Sequence, residues 1–243
     1  MNRAPGIESG VRIYCIGDIH GRADLLSQLH SKIEKDATAF QGRIILVYLG
    51  DYIDRGEHSN EVINILLEST PADYQTEFLM GNHEQVMLAF LQDPKANRAW
   101  LSFGGLATLY SYGVELERNY FAVDVEKTAN DLFEKLPQDH LAFITSCKES
   151  FSCGDYYFVH AGIRPGVGLD LQSIDDKLWI RQEFIDCQDE HELVVVHGHT
   201  ISEEIEFLPN RIGLDTGAFH TGVLSCLVLE GLEQRLLQTG KDE

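Results

Sequence analysis

Three times early in the chain one pattern recurs: a short apolar run, a glycine-led polar turn, then apolar residues at helical spacing. Val11 to Ile16 stops at Gly17-Asp18-Ile19-His20-Gly21, and Leu25, Leu26, Leu29 and Ile33 follow with helical periodicity. Ile44 to Leu49 stops at Gly50-Asp51, and a helix is predicted from about Asn60 to Glu68. Glu77 to Met80 stops at Gly81-Asn82-His83-Glu84 and runs into Val86 to Leu91. Asp18 and Asp51 stand 33 residues apart, and Asp51 and Asn82 stand 31 apart. Those intervals suit strand–helix–strand units, whose parallel strands bring their C-terminal ends to one sheet edge. Polar residues beyond those ends converge, and in open α/β sheets that edge binds ligands.

From Glu84 to about Ser150 the pattern is helical, with breaks at Gly104-Gly105 and Gly113. Tyr156 to Val159, Leu193 to Val196, Arg211 to Leu214 and Val223 to Leu229 read as later strands. Most have no long helix between them, so this half is expected to form a second sheet packed on the first. One domain over residues 1–243 is expected, with the helical insert walling the site. Two later strands end in histidine, at His160-Ala161-Gly162 and His197-Gly198-His199-Thr200.

Charge narrows the partners. Nineteen Lys and Arg against 39 Asp and Glu leave a net charge of −20. Phosphate backbones and acidic lipid surfaces repel such an anion, which argues against nucleic acid polymers and membranes. Five cysteines, Cys15, Cys147, Cys153, Cys187 and Cys226, form no CxxC pair, and Met1 to Gly10 lacks the apolar stretch of a signal peptide. A reducing cytoplasm is the expected location, and a monomer the expected state.

Five strand ends together carry Asp18, His20, Asp51, Asn82, His160 and His199. These oxygen and nitrogen donors, with no thiolate, suit hard to borderline divalent ions such as Mn²⁺, Fe²⁺ or Zn²⁺. Six donors exceed what one catalytic ion with open positions needs. Two ions sharing a carboxylate, about 3.5–4 Å apart, would use them all.

Gly17-Asp18-Ile19-His20-Gly21, Gly50-Asp51-Tyr52-Ile53-Asp54-Arg55-Gly56 and Gly81-Asn82-His83-Glu84 resemble the GDxHG, GDxxDRG and GNHE signatures of the phosphoprotein phosphatase family, within the calcineurin-like metallophosphoesterases. The likeness is greatest to small bacterial and bacteriophage serine/threonine phosphatases. It continues through His160-Ala161-Gly162, Leu178-Trp179-Ile180-Arg181 and Gly198-His199-Thr200. The resemblance implies a four-layer αββα sandwich of two mixed sheets with a helical insert. It implies that Asp18, His20 and Asp51 hold one metal, and that Asp51, Asn82, His160 and His199 hold the other. Mn²⁺ is the implied metal, with iron, zinc or nickel as alternatives.

By the same resemblance Arg55 and Arg181 grip the phosphate, beside Asn82, with planar forks that match two phosphoryl oxygens. For Arg181 a surface ion pair with Glu183 or Asp186 competes with that role. His83 is the implied acid for the leaving alkoxide, and Asp54 orients it and raises its pKa. The wider superfamily often carries a GHxH turn; here Ile201 stands at its second histidine. His197 receives no role. Asp215, in Leu214-Asp215-Thr216-Gly217, reads as structural support, a carboxylate expected to hold a ligand histidine.

The function so implied is hydrolysis of phosphoserine and phosphothreonine monoesters by in-line attack of a hydroxide bridging the two metals. The substrate would be a phosphoprotein or phosphopeptide. Two alternatives are a nucleotide substrate, through symmetrical bis(5'-nucleosyl)-tetraphosphatase activity, and an inactive scaffold binding phosphorylated partners. The scaffold would predict damage to the ligand set or the acid, and every one of those residues is intact.

Overall fold

The computed structural model describes residues 4–69, 71, 73–116 and 123–240. The three early units fold as their spacing requires. Strands β1 (Val11–Ile16), β2 (Arg43–Tyr48) and β3 (Gln75–Phe78) are parallel, and helices α1 (Ala23–Ala37) and α2 (Ser59–Glu68) connect them. Helix α3 (Asn82–Gln92) follows at once and opens the insert. A 3₁₀ turn (Arg98–Phe103) comes next, then α4 (Gly105–Ser111), α5 (Val125–Lys135) and α6 (Gln138–Ser146). Gly104, at φ 117°, separates the 3₁₀ turn from α4, the break its sequence announces. Residues 117–122 of the expected insert lie outside the described residues.

Strand β4 (Ser150–Cys153) pairs antiparallel with β5 (Tyr156–Val159). After the short helices α7 (Ile174–Trp179) and α8 (Gln182–Ile185) come β6 (Val194–His197), β7 (Glu206–Phe207) and β8 (Arg211–Gly213). Strands β5, β6 and β8 are parallel, and the second sheet has the order β4-β5-β6-β8-β7. Helix α9 (Ala218–Thr221) then leads into β9 (Ser225–Glu230) and β10 (Glu233–Gln238).

One expectation is corrected here. The run from Val223 to Leu229 does not extend the second sheet. As β9 it returns to the first, antiparallel to β1 with Cys15 opposite Leu227, giving the order β10-β9-β1-β2-β3. The side chains explain the choice: Cys226 and Val228 enter the core under the helices, while Leu227 and Leu229 enter the core between the sheets.

Three apolar layers lie between the four structural layers. Tyr14, Ile16, Leu46 and Tyr48 face α1, α2 and the insert. Ile13, Cys15, Ile45 and Val47 alternate with them and meet Tyr156, Phe158, Val196 and Ile212 from the second sheet. Tyr157, Val159 and Val195 point outward onto Ile163, Ile180 and Phe184. Two-residue alternation in both sheets builds this sandwich. Each wholly buried aliphatic chain contributes about 1.5–3 kcal/mol. Packing the sheets face to face brings the C-terminal edges of β1, β2, β3, β5 and β6 together.

Candidate active site

The turn after β1 and the turn after β2 are stitched directly to each other. The Ile19 and His20 N–H groups both donate to Asp51 O, Gly21 N–H donates to Tyr52 O, and Gly56 N–H donates to His20 O. Contact this close excludes a side chain: a Cβ on Gly21 would lie 2.5 Å from Gly56 O. The only non-glycine residues with left-handed φ among the described residues are His20, Asp51, Asp54, Arg55 and His199. All five are expected site residues. Such backbone costs about 1–3 kcal/mol per residue and collects at functional sites.

Asp51 lies at the centre. Its Oδ2 is 3.4 Å from His20 Nε2, and its Oδ1 is 3.4 Å from His160 Nε2. One carboxylate thus faces two histidines with two different oxygens. The carboxylate and ring nitrogens form two groups able to hold a cation, His20–Asp51–His83 and Asp51–His160–His199, with Asp51 common to both. Asn82 joins the second group, its Oδ1 lying 2.9 Å from both His160 Nε2 and His199 Nδ1. Asp18 stands beside it, its Oδ2 accepting from His199 N–H at 2.9 Å.

The proton positions follow from the backbone. His20 Nδ1 donates to Ile53 O at 2.8 Å, and His160 Nδ1 donates to Leu49 O at 2.9 Å. A carbonyl only accepts, so each ring turns the lone pair of Nε2 inward. Burial keeps these rings neutral: it pushes His20 down to about 3 and lowers His160 and His199 as well. Acceptors therefore face acceptors. Asp18 Oδ1, His20 Nε2 and His199 Nε2 are all buried with no hydrogen-bond partner. Cations satisfy such an arrangement, and ligand histidines typically anchor their far nitrogen on a carbonyl in this way. The residues fit a divalent-metal site.

His83 differs from the other rings. Its Nδ1 donates to Asp54 Oδ2 at 2.6 Å, and its Nε2 lies 3.2 Å from Arg55 Nη2. Burial disfavours its charge, but Asp51 and the bond to Asp54 outweigh that and raise its pKa above the ordinary value. A ring disposed to carry a proton is a poor ligand, so its membership of the first group is one of proximity. Its second nitrogen, Nε2, faces the Arg55 guanidinium.

Four residues support the site beyond what the sequence alone assigns: Trp100, Thr108, Glu84 and Phe219. Trp100 Nε1 donates to Asp54 Oδ2 at 2.8 Å, and Thr108 Oγ1 donates to Asp54 Oδ1 at 2.6 Å, so the insert orients the partner of His83. Glu84, wholly buried, accepts four backbone N–H groups: Asp51 and Gly81 on Oε2, Tyr52 and Ile53 on Oε1. It thereby fixes the turn that carries Asp51. The readable signal is a glutamate three residues into a helix, placed to reach back to the N-cap N–H. Phe219 supports Arg55, whose guanidinium sits 4.8 Å from the ring centre.

Arg181 is exposed and reaches His199 O at 3.4 Å. The competing ion pair is absent among the described residues, since Arg164 takes Glu183 at 2.6 Å. His197 turns away from the site and packs edge-on against Phe184 on the outer face. Asp215 holds no histidine. Its Oδ1 accepts Gly217 N–H at 2.9 Å, and its electrostatic neighbours include Asp51 and Asp18.

A family model described as calcineurin-like phosphoesterase matches residues 11–220. The chain is 27% identical to serine/threonine-protein phosphatase 2 of Escherichia coli strain K12, over 88% of this chain and 90% of that protein. It is also 27% identical to an asymmetrical bis(5'-nucleosyl)-tetraphosphatase of Bacillus mycoides, over 90% of each. A crystal structure provisionally named a diadenosine tetraphosphatase superposes with TM-score 0.64 at 19% identity, covering 99% of this chain and all of that one. That likeness is one of fold. A family match over most of the sequence, on a sandwich of two mixed sheets that gathers these donors, makes the chain a calcineurin-like phosphoesterase.

Proposed function

We propose that this phosphoesterase is a phosphatase of the serine/threonine type, hydrolysing phosphoserine and phosphothreonine monoesters of phosphoproteins or phosphopeptides. The observation that carries this reading is the His83–Asp54 pair, 2.6 Å apart beside Arg55. Serine and threonine leave as alkoxides, strong bases that must be protonated as the bond breaks. The phosphate leaving group of a polyphosphate needs no such help. A positioned acid contributes about 10²–10⁴-fold to a step of this kind.

Asp18, His20 and Asp51 would hold one cation, and Asp51, Asn82, His160 and His199 the other. Bound there, divalent ions supply Lewis acidity toward phosphoryl oxygens and lower the pKa of water toward neutrality. Mn²⁺ is the ion we propose; iron, zinc and nickel suit the same donors. Arg55 and Arg181 would grip phosphoryl oxygens with their planar forks, next to Asn82. His83 Nε2 would give its proton to the departing oxygen while Asp54 holds Nδ1. All five cysteines are free thiols, which supports a cytoplasmic location. No helix among the described residues is long and apolar enough to cross a membrane.

The second reading is dinucleoside tetraphosphate hydrolysis, favoured by the 27% identity to the Bacillus mycoides enzyme. A net charge of −20 opposes a substrate with four phosphates more than it opposes a phosphopeptide. Assayed side by side with Mn²⁺, a phosphoserine peptide is expected to exceed diadenosine tetraphosphate in kcat/KM by about tenfold or more, a difference of roughly 1.4 kcal/mol. A preference of that size for the dinucleotide would replace the first reading with the second.

A further inference from the structure

One more strand end reaches the site than the six sequence-derived donors use. Strand β8 runs parallel to β6, with His197 opposite Gly213, so the chain beyond Gly213 emerges on the same edge as His199. Two residues further on is Asp215, 2% exposed. One of its oxygens is accounted for, since Oδ1 accepts Gly217 N–H at 2.9 Å. The other, Oδ2, is buried with no hydrogen-bond partner.

Asp18 repeats the situation. Its Oδ2 accepts His199 N–H, and its Oδ1 is buried with no partner. It is held there by packing: a Cβ on Gly198 would lie 2.0 Å from Asp18 Oδ1, so that carboxylate rests directly on the turn carrying His199. Asp18 and Asp215 lie within hydrogen-bond reach of each other, two acceptors that need a proton or a cation between them, and Asp51 disfavours charge on both. Arg55 is the cationic side chain whose charge acts on both Asp18 and Asp215. Three buried carboxylates with two free oxygens are costly without further positive charge.

We propose that Asp215 is a further cation-holding residue, completing with Asp18, His20 and Asp51 the acidic seat of one of the two divalent ions. This rests on the dinuclear phosphatase reading given above. Tying the β8–α9 turn cannot be its whole purpose, because an asparagine would accept Gly217 N–H equally well and would leave no orphaned carboxylate oxygen.

Asp215→Asn separates the two roles, since it keeps the turn bond and removes the charge. The measurements are Mn²⁺ titration in competition with a chelating dye, and melting of stripped and Mn²⁺-loaded protein. Wild type should bind two equivalents. The variant should bind one of them more than about 100-fold more weakly, beyond the 10–100-fold expected of a residue that only supports ligands. Mn²⁺ should raise the Tm of Asp215→Asn by less than it raises that of wild type. If the Asn variant does not fold, Asp215→Ser retains an acceptor for the turn, and the same weakening is expected. Unchanged Mn²⁺ affinity, or an unchanged Mn²⁺-induced rise in Tm, would overturn the proposal. A wild type that binds no Mn²⁺ would overturn it together with the dinuclear reading, whereas two ions bound equally by wild type and variant would overturn it alone.

Discussion

Replacing His83 by asparagine is expected to reduce kcat on a phosphoserine peptide by about 10²–10⁴-fold, the contribution of a positioned acid. Hydrolysis of p-nitrophenyl phosphate should fall by less than about tenfold, because its leaving group is a weak base that departs without a proton. The substitution is conservative where the fold is concerned. His83→Asn keeps the backbone N–H that donates to Asp51 Oδ1 at 3.1 Å, so the cation site should load normally. What disappears is the ring nitrogen beside Arg55 and the bond to Asp54. Comparing the two substrates on metal-loaded variant protein checks this. Equal losses on both would remove His83 from the acid role.

Asp51→Asn should have the larger effect. Asp51 meets His20 with Oδ2 and His160 with Oδ1, so it is the one carboxylate common to both candidate groups. Burial opposes its charge, yet its carboxyl is held below the ordinary value, with His83, the ring disposed to carry a proton, among the charges that favour it. An asparagine presents one oxygen and no charge to two places at once. Metal affinity should drop by more than the roughly 100-fold that marks the upper end for residues merely supporting ligands, and activity on every substrate should go with it. Asp18→Asn, which touches one seat, should retain one ion. Metal analysis after equilibrium dialysis separates the two variants. Two ions retained by Asp51→Asn would contradict the shared role.

The parts of this molecule that are legible in the sequence share a cause. Asp18, Asp51 and Asn82 fall at strand-unit spacing because parallel strands joined by helices impose it, and the sheet edge then brings their side chains together. The packing of the second sheet on the first is legible from strands lacking long helices between them. Strand β10 is not: it opens on Glu233, Gln234 and Arg235, which lack an apolar run, although charge is what an edge strand needs to resist further pairing. The return of β9 to the first sheet is also hidden, because two-residue alternation is the same in either sheet. Trp100 and Thr108 touch Asp54 only after the insert folds over it, 46 and 54 residues along the chain. The left-handed backbone at His20, Asp51, Asp54, Arg55 and His199 is not announced by glycine, although Asp and His enter that region more readily than most residues. Asp215 stands in a familiar-looking segment, but its meaning depends on an oxygen without a partner, which only the packing reveals.

Crystals of the Mn²⁺-loaded protein, measured for anomalous scattering at the manganese edge, provide the most direct test. Two peaks about 3.5–4 Å apart, both within bonding distance of the Asp51 carboxylate, are the predicted result. A solitary peak, or a pair of which only one touches Asp51, would contradict the account.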